Sequence, residues 1–217
     1  MEPRTEDLRL AYLSGEGVVL RGAGPEDAET CAPWFNDPEV IRYLNTGSRP
    51  NLVEHSREFL AQAVRSSADV VFAIIERESK RHIGNTALHR IDSLRRSAVF
   101  GIVIGVQSCW GRGYGTEATR LVIDYAFRRL NLHRIELEVA ASHAIARRAY
   151  ERVGFQVEGT RRDAMFVDGQ YADALVMALL RPEWEARNGG GAASAAKAPS
   201  GATTAAPASR PAPASRS

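Results

Sequence analysis

Cysteine is scarce in this chain of 217 residues, where only Cys31 and Cys109 occur. Two unclustered thiols exclude a disulfide framework and a cysteine-rich zinc site, and both read as packing residues in a reducing compartment. Charge of one sign is missing as well: 28 Lys and Arg against 26 Asp and Glu leave a formal net charge of +2. That balance lacks the basic stripe, interleaved with aromatics, by which nucleic acid is usually held. Long apolar runs are absent too, since the longest, Ala174 to Leu180, falls far short of the roughly 20 residues that span a bilayer. Near the start, Glu2, Arg4, Glu6, Asp7 and Arg9 interrupt any apolar signal-peptide core. The five histidines and two cysteines show no ligand-type spacing, so no metal is expected. The expectation is a soluble cytoplasmic protein that binds neither nucleic acid nor membrane.

What is present separates into a core-forming region and a tail. Beyond Arg187 the chain is Gly, Ala, Ser, Thr and Pro with scattered basic residues, and without large apolar side chains it cannot offset the entropy of ordering. We expect an N-terminal extension over residues 1–14, one domain over 15–186 and a disordered tail over 187–217. Val18 to Leu20 reads as a short strand, and Pro25 with Glu26 and Asp27 opens a helix carrying Ala28, Ala32 and Phe35 on one face. A second helix is expected from Leu52 to Arg65. Three apolar runs, Val70 to Glu76, Ile83 to Ile91 and Ala98 to Val106, joined by short polar links, predict an antiparallel meander. His133 to Val139 alternates strictly, as a strand with one buried face does. A helix from Ala144 to Arg152 then closes at Gly154, and two strands flank the turn Val167-Asp168-Gly169-Gln170. The order is mixed α/β, with about seven strands in one sheet.

Between the third run and the next helix lies Trp110-Gly111-Arg112-Gly113-Tyr114-Gly115. Glycines at alternate positions let backbone take positive φ and approach a ligand closely, and the helix expected to start near Thr116 turns unpaired N–H groups and its positive dipole end toward that point. An anion such as a pyrophosphate fits there. The segment is not a P-loop, because no lysine follows Gly115, and it misses the dinucleotide fingerprint, because Thr116 stands where the third glycine belongs.

Three blocks in order resemble the GNAT-superfamily N-acyltransferases, in the RimJ/RimL-like and diamine N-acetyltransferase branch. They are Leu20-Arg21 with Asp27-Ala28 and Trp34 to Pro38; Trp110 to Ala118 with Tyr125-Ala126-Phe127; and Tyr150 to Phe155 with Glu158-Gly159. The resemblance spans nearly all of residues 15–186. It implies a sheet in which the strand before the glycine segment splays from the next parallel strand, with the pantetheine arm of acetyl-CoA lying in the gap. It further implies that backbone N–H groups of Arg112, Gly113, Gly115 and Thr116 hold the pyrophosphate. An oxyanion donor is expected at Ile104 to Val106, and Tyr150 is expected to present its hydroxyl to the CoA sulfur.

Some positions depart from the family pattern. His143 and Ala146 replace an Asn and a Ser, so His143 is the remaining candidate for a pantetheine hydrogen bond, and Val99 stands where many relatives carry a glutamate base. Glu136, Glu138, Asp92 and Asp163 are the other carboxylates near the expected site, and none of them is singled out as the base. The activity so implied is acetyl transfer from acetyl-CoA to a primary amine by direct attack in a ternary complex. The acceptor is either a protein or peptide N-terminal amine or a small polyamine or aminoglycoside-like amine, and a homodimer is an admissible assembly. The alternative is a catalytically silent CoA-binding or sensor module of the same fold.

Overall fold

The apolar runs become the strands of a single open sheet in the computed structural model, which describes residues 8–44 and 49–188. A short 3-10 turn leads into β1 (Leu13–Ser14) and β2 (Val18–Gly22), and a helical layer follows, formed by α1 (Ala28–Cys31), α2 (Pro38–Ile41) and α3 (Val53–Arg65). The meander β3 (Val70–Glu76), β4 (His82–Asp92) and β5 (Ser97–Ile104) comes next, antiparallel throughout. After it come α4 (Tyr114–Arg128), β6 (Arg134–Ala140), α5 (Ala144–Val153), the hairpin β7 (Gln156–Val167) and β8 (Gln170–Leu180), and α6 (Arg181–Asn188). The strands lie in the order β1-β2-β3-β4-β5-β6-β8-β7.

One expectation is refined and another corrected. The sheet has eight strands rather than about seven; the additional one, β1, is two residues long, too short for alternation to register. It pairs Leu13 with Leu20 and Ser14 with Val19, inside the stretch expected as an extension. The helix expected from Pro25 is also broken, into a 3-10 turn, α1, a second 3-10 stretch over Ala32–Asn36, and α2. Pro33 and Pro38 lack the N–H that a continuous helix would need, and Asp37 instead starts α2 afresh by accepting from the Glu39 N–H at 3.0 Å. At the other end α6 runs to Asn188, and the tail beyond it lies outside the described residues.

The sheet is covered on both faces. Beneath it, α4 buries Val122, Ile123 and Phe127, α5 Val153 and α6 Trp184 in one cluster with Leu20, Ile74, Leu88 and Ile135, each such aliphatic or Phe side chain contributing about 1.5–3 kcal/mol. Trp184 of α6 donates its indole N–H to Asp124 at 2.7 Å and so ties α6 to α4. Above the sheet, α1 and α3 pack Ala28, Cys31 and Leu60 onto Val19, Val71 and Ile75. Arg21 and Asp27, from the first sequence block, form a buried two-pronged pair at 2.8 and 2.7 Å that pins this layer to β2.

One junction is incomplete. Parallel β5 and β6 pair only at Ser97–Arg134, Ala98–Ile135 and Val99–Glu136. Past Val99, β5 continues on β4 as far as Ile104–Gly84, and β6 continues on β8 as far as Ala140–Ala174. Each strand therefore has a full ladder on its outer side and none on its inner side, and a wedge opens between them.

Candidate functional site

The glycine segment closes the wide end of that wedge. Gly111 and Gly113 have φ of 74° and 85°, the left-handed region that only glycine enters without cost. Gly113 is the N-cap of α4, whose first residue, Tyr114, lies two positions earlier than expected. Among the described residues, the N–H groups of Gly111, Arg112, Gly113, Tyr114, Gly115 and Thr116 have no acceptor, the first bond of the helix running from the Glu117 N–H to the Gly113 carbonyl at 3.0 Å. Six consecutive open donors at the positive end of a 15-residue helix make an anion nest. A Cβ on Gly111 or Gly113 would meet nothing within 4 Å, whereas one on Gly115 would stand 3.7 Å from Ile104. The nest is thus open to a ligand and abuts the end of β5.

The Arg112 side chain is engaged on β3. Its guanidinium donates to Glu76 on β3 at 2.7 Å, beside the Tyr114 hydroxyl, which donates to the same oxygen at 2.8 Å. Glu76 is buried, and its carboxyl is held below the usual range by the Ser79 hydroxyl first, against the opposing effect of burial, and then by Tyr114 and Arg112. The Arg112 charge is spent on that tie, while its backbone N–H stays in the nest. Glu117 is likewise turned away, accepting from the Gly17 N–H at 3.0 Å.

At the head of β5 the N–H groups of Gly105 and Val106 both donate to the Ile83 carbonyl, at 2.9 and 3.2 Å, which is the geometry of a β-bulge. Because Gly105 faces β4, the alternation of backbone groups turns the Ile104 N–H the other way, into the wedge. The Ile104 carbonyl is held by the Trp110 indole N–H at 2.8 Å, a contact that the sequence reading missed and that the exposed position of Trp110 conceals. Val106, expected beside Ile104, does not join it. Its N–H is on Ile83, and its carbonyl accepts from Cys109 at 2.9 Å.

Tyr150 lies at the narrow end of the wedge. Its ring meets Phe100, the first β5 residue beyond the parallel pairs, edge-on at 6.3 Å, and Phe155 at 6.0 Å. Gly154, with φ of 121°, lets the chain reverse so that its own N–H and that of Phe155 both reach the Tyr150 carbonyl, at 3.0 and 3.1 Å. The spacing Tyr150, Gly154, Phe155 is therefore one packing unit. Burial pushes the Tyr150 hydroxyl up to about 12, and among the described residues it has no hydrogen-bond partner. His143 precedes α5 without capping it and lies flat on Tyr43, the rings 4.1 Å apart and 13° from parallel. Burial first, then the nearby Arg42, pushes its pKa down, so at neutral pH it is an uncharged ring in a stack.

Three of the four carboxylates near the expected site are engaged elsewhere. Glu136 pairs with Arg134 at 3.1 Å, Glu138 with Arg161, and Asp92 accepts from the N–H groups of Leu94 and Arg95 in its own turn. Asp163 is exposed on β7 at a φ of 50°. On the upper face, between α3 and the sheet, lies a cavity of about 250 Å³ that reaches Gly101, Ile102 and Val103 on the splayed part of β5. Among the described residues no cluster of His, Cys, Asp and Glu could hold a metal ion, and no helix is long and apolar enough to cross a membrane.

Known proteins are similar to this chain in sequence and fold. A family model described as an acetyltransferase (GNAT) domain matches residues 18–156. The uncharacterized N-acetyltransferase p20 of Bacillus licheniformis is 31% identical over 178 residues, which cover 81% of this chain and 99% of that protein. The spermidine N(1)-acetyltransferase of Escherichia coli K12 is 29% identical over 175 residues, 81% of this chain and 92% of its own. Among solved structures, the spermidine N-acetyltransferase of Vibrio cholerae in complex with CoA and spermine aligns with a TM-score of 0.72 and 26% identity, over 78% of this chain and 99% of that one.

Proposed function

The chain belongs to the GNAT acetyltransferase family, and from that premise we propose that it transfers the acetyl group of acetyl-CoA to a small primary amine by direct attack in a ternary complex. The observation that carries this reading is the β5–β6 ladder, which stops after three pairs and leads from Tyr150 at its narrow end to the anion nest at its wide end. The pantetheine arm lies along the open backbone edge of β5, and the pyrophosphate sits in the nest of Gly111 to Thr116. An N–H group that β5 turns into the wedge, such as that of Ile104, is the oxyanion donor, a contribution of about 10²–10³-fold in rate for groups of this kind.

Tyr150 acts on the departing sulfur. Its hydroxyl, at about 12, lies well above the roughly 8.5 of a thiol, so complete transfer of its proton to the thiolate is uphill. Its part is to donate a hydrogen bond that strengthens as charge builds on sulfur. A small amine as acceptor is supported by the relatives named for spermidine.

The test is release of free thiol from acetyl-CoA in the presence of a panel of amines. Turnover with at least one amine is expected, and Tyr150→Phe should lower kcat by about 10²-fold while leaving the affinity for acetyl-CoA in place. No release with any amine would refute the reading, and an unchanged kcat in Tyr150→Phe would remove that residue from it.

A further inference from the structure

The proposed function leaves the acceptor site and the group that removes its proton unassigned, and the carboxylate that many relatives carry is replaced by Val99. Directly across from Val99, on β4, stands His89. Its Nδ1 is 2.8 Å from an Asp69 oxygen, and the other oxygen of Asp69 accepts from the Ser66 hydroxyl at 2.7 Å. Burial pushes the Asp69 carboxyl up, but the hydrogen bonds from Ser66 and His89 outweigh it and hold the carboxyl below its usual range. An ionised Asp69 fixes the ring proton on Nδ1 and leaves the lone pair of Nε2 outward. Among the described residues Nε2 has no partner, and the ring lines the upper cavity.

That cavity opens on the splayed part of β5. A Cβ on Gly101 would stand 3.9 Å from the His89 ring, so the ring lies close over the backbone of the splayed part of β5. The walls are otherwise mostly apolar, with Phe35, Leu44, Phe59, Leu60 and Val71 among them, and Ser56, Asn85 and Thr86 are the uncharged polar side chains. The titratable groups facing His89 are few. Asp69 stands behind it, and Cys31 lies on the α1 side with its thiol pushed up by burial. From α3 the cavity receives only Ser56, Phe59 and Leu60, and from β5 only Gly101, Ile102 and Val103. Among the described residues no carboxylate lines it, so none of them would pair with the several ammonium groups of an extended polycation.

We propose that this cavity is the acceptor site, that it takes a primary amine borne on an apolar body, and that His89, oriented by Asp69, removes the proton of that amine. This rests on the acetyl-transfer reading above. In the step, Nε2 takes one proton from the ammonium, directly or through one water, and the freed nitrogen lone pair bonds to the thioester carbonyl carbon. The C–S bond breaks with its electron pair on sulfur, to which the Tyr150 hydroxyl donates a hydrogen bond, and the sulfur takes the second nitrogen proton through solvent. The products are the acetamide and free CoA thiol, and the proton on His89 returns to solvent.

The experiment measures thiol release by the full chain with phenethylamine, hexylamine and spermidine between about pH 6 and 9.5, for wild type, His89→Gln and Asp69→Asn. The apolar amines should exceed spermidine in kcat/KM by about tenfold or more, a difference of about 1.4 kcal/mol. His89→Gln should lower kcat by about 10²-fold and abolish the fall of kcat toward low pH, and Asp69→Asn should have a smaller effect in the same direction. CoA should still raise the melting temperature of both variants, which shows that they are folded and bind. A wild-type kcat and pH profile in His89→Gln, or a preference for spermidine, overturns this inference alone. Absence of thiol release with every amine overturns it together with the acetyl-transfer reading.

Discussion

Gly113 and Gly105 are required for opposite reasons. At Gly105 the requirement is space, because a Cβ would fall 2.0 Å from the Trp34 ring. At Gly113 the surroundings are empty, and the φ of 85° is what demands glycine, a left-handed conformation that costs any L-residue roughly 1–2 kcal/mol and a β-branched one most. Gly113→Val should therefore turn the nest donors out of register, weakening CoA binding by about tenfold or more for each 1.4 kcal/mol lost, with the protein still folded. Calorimetric titration with CoA checks this, and an unchanged Kd would exclude the nest as the anion site. The nest was legible in the sequence because positive φ and glycine go together. The placing of Arg112 on Glu76 was not, since the two are 36 positions apart and spacing says nothing of which distant strand passes by. Val106 was misjudged for a related reason: a bulge is a matter of how two strands register, and no residue type marks it.

At the scale of elements, a buried ion pair ties β2 to the turn that leads into α1. Arg21 and Asp27 are both buried, their side chains 8% and 2% exposed, so each compensates the buried charge of the other. Burial pushes the Asp27 carboxyl up, but the hydrogen bonds from Arg21 and the Gly24 N–H, with the charges of Arg21 and His82, outweigh it and hold it below the ordinary range. A folded-state value below the unfolded one means that this stabilisation is complete at neutral pH and is lost as pH falls below about 4. Asp27→Asn should cost about 3–5 kcal/mol in urea unfolding at pH 7, and the gap between variant and wild type should narrow at pH 3. An equal gap at both values would mean that the pair contributes packing alone. Elements with one wet and one dry face, such as β6 with Ile135, Leu137 and Val139 inward, could be read from alternation. Where packing covers both faces or an element is very short, as with β1 and the broken helices before α3, periodicity carries little signal.

For the whole molecule, the sheet consists of a five-stranded part, β1 to β5, and a three-stranded part, β6 to β8, joined by three parallel pairs and by the helices beneath. A ligand that binds the folded form alone stabilises it by about 2.7 kcal/mol at a hundred times its Kd. In a chain of this size that raises the melting temperature by roughly 5–10 °C. CoA at such a concentration should produce that shift, and a melting curve indifferent to millimolar CoA would contradict the site. The order of the three motif blocks made the fold legible before any distance was known. The pairing of His89 with Asp69, side chains 20 positions apart, emerged only with the strands in place.

The wedge has a consequence for how the protein moves through a cycle. A pantetheine arm bonded to the edge of β5 would stand in the middle of the sheet as a strand that is not polypeptide, arriving with acetyl-CoA and leaving with CoA. The interior of the sheet would then gain and lose a member at every turnover, so the amides of Phe100, Ile102 and Ile104 become the natural reporters of whether the molecule is waiting, loaded or spent.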